Sequence, residues 1–159
     1  MTTTTAALIW ITTILQQANI PFQITGGLAA RAYGATRELA DIDIEIPEDR
    51  FIDLQDKVSD FVVREPYRDQ EEPWDLLLMT LRYKNQDIDI SGAYTTKILD
   101  KTTHQWVNCV ADFSKSVTVN ILGIDLPVIP LEDLLAYKKI LSRDVDISDI
   151  NQIKSLSIN

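Results

Sequence analysis

The 159-residue chain has a single cysteine and a single histidine. Cys109, standing alone, excludes an intramolecular disulfide and a thiolate metal cluster. Valines at 107 and 110 flank it, so a buried, inert thiol is expected. His104, also alone, argues against a histidine-dependent triad and against a histidine-rich zinc site. Positive charge is scarce as well: 15 Lys and Arg face 24 Asp and Glu, for a net charge of −9. General nucleic-acid binding needs basic patches that replace counterions, and an anionic membrane surface needs the same, so both are disfavoured. The apolar run 6–11 is too short for a signal segment or a membrane span, and no basic segment precedes it. A cytoplasmic location is the expectation. What remains is a chain that is 45% apolar, of a length suited to one domain spanning 1–159. Its partners are expected to be small molecules or another protein.

The informative stretch runs from Ile24 to Pro47, ITGGLAARAYGATRELADIDIEIP. A short strand is predicted to end at Thr25, a Gly26-Gly27 pair to turn the chain, and a small helix to cover 28–33. A second strand then carries Asp41, Asp43 and Glu45 on one face, with Ile42, Ile44 and Ile46 on the other. Three carboxylates on one face repel unless a cation sits among them, and Mg²⁺ suits a few carboxylates plus phosphate oxygens. The glycines allow close approach to the main chain, and a helix N-terminus directly after them attracts phosphate. A solvated sheet edge and an ordinary turn are the bland readings of the two halves. Strand, glycine pair, helix and DxD strand in that order favour a phosphate and metal site.

Elsewhere the pattern is plainer. Residues 1–5 are expected to fray, and 6–18 to form a helix on Leu8, Ile11, Ile14 and Leu15. A helix from about 48 to 59 buries Phe51, Leu54 and Val58, and 61–63 is a short strand. The polar stretch 64–73 is predicted to be a solvated loop. Residues 75–83 and 87–90 are predicted to pair as an antiparallel hairpin across a turn at 84–86. The second of these strands repeats the DxD pattern. Asp87 and Asp89 share a face, and Asp89 is favoured as a third carboxylate because it lies inside the strand, while Asp87 abuts the turn. Residues 95–105 look like a loose helix, and 107–111, 117–122 and 124–129 like short strands. Helices are predicted from Pro130 to about 141 and over 147–156, the latter capped by Asp146.

This order of parts resembles the nucleotidyltransferase superfamily that includes DNA polymerase beta. Within it, the chain is similar to the small lincosamide and aminoglycoside nucleotidyltransferases. The matching residues are Phe22 to Ile24, Gly26-Gly27, Thr36-Arg37-Glu38, Asp41 to Ile44 and Ile88-Asp89-Ile90. A tail of Lys138, Arg143, Asp146 and Asp149 resembles bacterial nucleotidyltransferase-like proteins, including antitoxins that neutralise a partner toxin. Many members carry Gly-Ser where this chain has Gly26-Gly27, and a basic residue where Ala40 stands. The resemblance implies an α+β fold: a mixed, twisted sheet flanked by helices, with further helices at the C-terminal end. It implies Mg²⁺-dependent transfer of a nucleoside monophosphate from a nucleoside triphosphate such as ATP to the hydroxyl of a small molecule or protein. Asp41, Asp43 and Asp89 would be the catalytic and metal-holding residues, at a site able to take two Mg²⁺ ions. Gly26 and Gly27 would bind phosphate. Arg37 would pair with phosphate or with Glu38 or Asp41, and Lys138 would reach the triphosphate or pair with Asp146. The alternatives are a toxin-binding antitoxin of the same fold, and a nucleotide-binding protein without turnover.

Overall fold

The structure, a computed structural model, describes residues 1–156. Helix α1 (Thr3–Gln17) begins three residues before the apolar spacing suggests, because threonines fix its start. The Thr2 hydroxyl accepts from the Thr5 amide at 3.1 Å, and Thr4 donates to Gln86 Oε1 at 2.7 Å. The segment expected to fray is therefore capped. Strand β1 (Gln23–Thr25) leads into helix α2 (Gly26–Ala32), and strand β2 (Asp41–Ile46) follows. A 3₁₀ turn, Glu48–Arg50, opens helix α3 (Phe51–Val58).

The polar stretch expected to be a loop is mostly strand. β3 (Val62–Asp69) pairs antiparallel with β4 (Trp74–Tyr83), leaving only residues 70–73 as the turn. Its polar residues fit because β3 lies off the main strand path with β4 as its one partner, so much of it faces water. Lys84 and Asn85, at φ of 48° and 64°, make the two-residue turn into β5 (Gln86–Gly92). The expected loose helix at 95–105 is instead a hairpin of β6 (Lys97–Asp100) and β7 (Gln105–Asn108). A second hairpin, β8 (Val117–Ile121) and β9 (Ile124–Val128), precedes helices α4 (Leu131–Leu141) and α5 (Asp144–Leu156).

The nine strands form a mixed sheet in the order β7-β6-β4-β5-β2-β1-β9-β8, with β3 beside β4. β2 runs parallel to β5, and β1 to β9; the other pairs are antiparallel. This is the expected α+β arrangement. Ile42, Ile44 and Ile46 of β2 and Ile88 and Ile90 of β5 are fully buried, in one core with Leu8, Ile11 and Leu15 of α1. Each such side chain contributes about 2 to 3 kcal/mol by leaving water. A slip of one residue in either strand would push carboxylates into that core, so burial locks the register. No helix among the described residues is long and apolar enough to cross a membrane.

Candidate functional site

With the isoleucines turned inward, Asp41, Asp43 and Glu45 of β2 and Asp87, Asp89 and Ser91 of β5 share the opposite face. Parallel pairing sets Asp43 directly against Asp89, and Asp41 against Asp87. Antiparallel pairing with β1 sets Thr25 on the other flank of Asp43. Asp41, Asp43 and Asp89 each offer a carboxylate oxygen, and the three oxygens lie within 4.8 Å of one another. Asp87 is drawn away: Arg82 binds it bidentately, at 2.6 and 3.2 Å. Asp89 is held by the Thr80 hydroxyl, which donates to Oδ1 at 2.7 Å.

Crowding and burial act on the protonation of Asp43 and Asp89. Burial, followed by the neighbouring Asp41 and Asp89 carboxylates, pushes Asp43 up to about 8. Asp89 is pushed up to about 6, by burial first and with Asp41 adding to it. Burial also raises Glu45 to about 7, although Gln23 Nε2 donates to it at 2.8 Å. Clustered oxygen ligands with an unbalanced negative charge are the donor set of a hard divalent cation, so these residues fit Mg²⁺.

The glycine turn is shaped around Asp43. Gly26 has φ +62°, and a Cβ there would lie 2.1 Å from Asp43 Oδ2. A Cβ on Gly27 would lie 2.7 Å from Arg37 Nη2. The Gly26 amide is not free. It donates to the Tyr137 hydroxyl at 2.8 Å. Tyr137 titrates well above the ordinary tyrosine range, first through burial and then through the Asp43 and Glu45 carboxylates.

Three cations line the same cleft: Lys138 of α4, Arg143 in the link between α4 and α5, and Arg37 after α2. Lys138 is 1% exposed, and its Nζ stands 3.1 Å from Asp146 Oδ1 and 3.0 Å from Asp149 Oδ2. Only the Asp146 contact has hydrogen-bond geometry; Asp149 Oδ2 takes part through charge alone. Arg143 binds Asp146 with Nε at 2.7 Å and Nη2 at 3.1 Å. Arg37 Nε reaches Asp149 Oδ1 at 2.9 Å, rather than Glu38 or Asp41, though its Nη1 donates to the Glu38 carbonyl at 3.3 Å. Lys138 thus pairs with Asp146, one of its two expected roles, and with Asp149 as well. Asp146 does not precede α5. It sits in the first turn and accepts from the Arg143 amide at 3.1 Å, reaching back to cap the helix from inside. Arg37, Lys138 and Arg143 all face one cleft of about 420 Å³ with Asp41, Asp43 and Asp89. Two buried carboxylates answer three cations, so the α4–α5 wall of the cleft is positive where the sheet is negative.

The cleft also has an apolar lining of Trp74, Leu76, Leu78 and Ile98, and the Arg143 guanidinium stands 5.6 Å from the Trp74 ring centroid. Cys109 is half-buried on this wall rather than fully buried, and burial raises its thiol to about 11, so it stays protonated. Tyr137 carries no sequence signal, and the tail motif contains Arg143 and Asp149 without giving either a role. The signal that could have found the charge cluster is helical phase. Lys138 falls with Leu134 and Leu141 on the buried face of α4, and Asp146 and Asp149 fall with Ile153 on that of α5. Opposite charges on the inner faces of two successive helices must meet.

No protein-family model and no curated protein sequence matches the chain. Solved structures do. A candidate nucleotidyltransferase from Thermotoga maritima is similar at 21% identity, covering 94% of both chains, with a TM-score of 0.63. The lincosamide antibiotic adenylyltransferase LnuA, bound to lincomycin, is similar at 19% identity over 93% of this chain and 94% of its own, TM-score 0.63. ANT(2″)-Ia in complex with adenylyl-2″-tobramycin is similar at 18% identity over 99% of this chain and 91% of its own, TM-score 0.63. Matches over nearly the whole of both chains, to three such structures, make this the nucleotidyltransferase fold.

Proposed function

We propose that the protein is a cytoplasmic nucleotidyltransferase that moves a nucleoside monophosphate from a nucleoside triphosphate to an acceptor hydroxyl with Mg²⁺. The observation that carries this reading is the trio Asp41, Asp43 and Asp89, set across a cleft from Arg37, Lys138 and Arg143 on this fold. Asp41, Asp43 and Asp89 would hold the metal. Bound there, Mg²⁺ supplies charge neutralisation to the attacking and leaving oxygens, at one position or two.

The chain's own residues do the rest. The acceptor oxygen forms a bond to the α-phosphorus, the bond from that phosphorus to the bridging oxygen breaks, and pyrophosphate leaves. The proton of the acceptor hydroxyl passes to Asp89, on the oxygen that Thr80 does not engage. Arg37 and Arg143 face the triphosphate as cations, with Asp149 and Asp146 fixing their orientation. Lys138, locked between both aspartates, orients them and adds charge from behind. Trp74, Leu76, Leu78 and Ile98 give the acceptor an apolar bed.

ATP is the triphosphate to test first, because two of the similar structures concern adenylyl transfer. Incubation with Mg²⁺, α-labelled nucleoside triphosphates and a cell extract should release pyrophosphate and label an acceptor, and Asp43→Asn should do neither. Equal labelling by that variant would contradict the proposal.

A further inference from the structure

Tyr137 is the one side chain bonded to the glycine turn for which the mechanism above has no use. Its hydroxyl oxygen accepts from the Gly26 amide at 2.8 Å and from the Thr25 hydroxyl at 3.3 Å. A phenol accepts at most two hydrogen bonds and donates one. The turn therefore fills both acceptor positions and leaves the O–H proton over, with no acceptor among the described residues. The group cannot wander to find one. The ring packs against the core, the Lys138 ammonium stands 5.7 Å from its centroid, and α4 carries both residues.

Tyr137 lines the cleft, and the partner its hydroxyl lacks is an oxygen with spare lone pairs. Two kinds could reach it: a carboxylate of the sheet, or an oxygen of a bound ligand. Asp41, Asp43 and Asp89 would turn their oxygens to a held cation, and Gln23 already donates to Glu45, which leaves the phenol to the ligand. Arg37, Lys138 and Arg143 line the same cleft, the chain's response to an anion. A fixed, neutral donor with Lys138 and Arg143 near it fits an oxygen-rich anion better than it fits an acceptor's apolar body.

We propose that the Tyr137 hydroxyl is a phosphate-binding group, donating its proton to a non-bridging oxygen of the pyrophosphate portion of the nucleotide. In this arrangement the Gly26 amide does not bind phosphate itself; it aims the hydroxyl that does. The inference rests on the nucleotidyltransferase reading and adds a residue to it.

Tyr137→Phe keeps the ring and removes only the hydroxyl. Calorimetric titrations with ATP, AMP and inorganic pyrophosphate, each with Mg²⁺, compare it with the wild type. Loss of a hydrogen bond to a charged group should weaken ATP and pyrophosphate about ten-fold or more. AMP, which lacks the β- and γ-phosphates, should bind as before. A purely structural role would weaken all three alike or none, and either result overturns the inference while leaving the nucleotidyltransferase reading intact. If the wild type binds neither Mg²⁺-ATP nor Mg²⁺-pyrophosphate, both fall together. Should Tyr137→Phe not fold, fluorotyrosine placed at 137 in the otherwise unchanged chain gives a second test. Its ¹⁹F resonance should move on addition of Mg²⁺-pyrophosphate and not Mg²⁺-AMP. An unmoved resonance with pyrophosphate would overturn the proposal.

Discussion

Asp43→Asn should make the metal-free protein more stable at pH 8 and leave it nearly unchanged at pH 4. In the folded chain Asp43 holds its proton up to about pH 8, because it is buried beside Asp41 and Asp89, whereas unfolded it releases that proton near 3.8. The folded-state value is raised, so the associated stability is fully present below about pH 4 and is lost as pH climbs toward 8. Linkage over that interval gives a ceiling of about 5 kcal/mol. The carboxylate lines an open cleft, and water entry and relaxation bring the expected loss to about 2 kcal/mol. Asparagine has the same shape, keeps its place against Gly26 and does not titrate. The stability gap between variant and wild type should therefore open from about zero to about 2 kcal/mol, or about 5 °C in Tm for a chain of this size. Thermal melts at pH 4, 6 and 8 in chelator measure it. Mg²⁺ at pH 8 should raise the wild-type Tm and close the gap, while the variant stays put. A gap of constant size, or one that shrinks with rising pH, would refute the reasoning.

Three further substitutions probe the surroundings. Lys138→Met should destabilise the protein by about 3 kcal/mol in urea melts, because it leaves the buried Asp149 Oδ2 with no cation and Asp146 with Arg143 alone; unchanged stability would show the ion-pair cluster to be neutral at this position. Asp89→Asn should abolish nucleotidyl transfer while Asp87→Asn preserves it, since Arg82 holds Asp87 out at the surface; the reverse outcome in the labelling assay would shift the third carboxylate by two residues.

Where one face of an element is wholly buried, the chain declares its structure openly. β2 and β5 alternate aspartate with isoleucine, and that alternation is enough to place Asp41, Asp43 and Asp89 on one face and to rank Asp89 ahead of Asp87. Where an element lies at the sheet margin the signal fades. β3 carries Arg64, Glu65, Arg68 and Asp69, and β7 exposes Gln105, Trp106 and Asn108, so polar content hides both strands. The β6–β7 hairpin rests on only a few buried side chains, Ile98 chief among them, which is too little to show a period of two. The cation wall was legible only in part. Lys138 and Asp146 could be paired by the tail motif, but the bonds from Arg37 to Asp149 and from Gly26 to Tyr137 span 112 and 111 residues. No local pattern encodes contacts at that distance; they follow from how α4 and α5 pack against the glycine turn.

The central claim is that this cleft binds a nucleoside triphosphate through a metal held by Asp41, Asp43 and Asp89. Calorimetric titration of the wild-type chain with ATP at pH 8, once with Mg²⁺ and once with chelator, tests it most directly. The carboxylates repel a bare triphosphate and attract a metal-bound one. Saturable binding at one site should appear with Mg²⁺ and vanish with chelator. Equal binding in both, or none in either, would contradict the account.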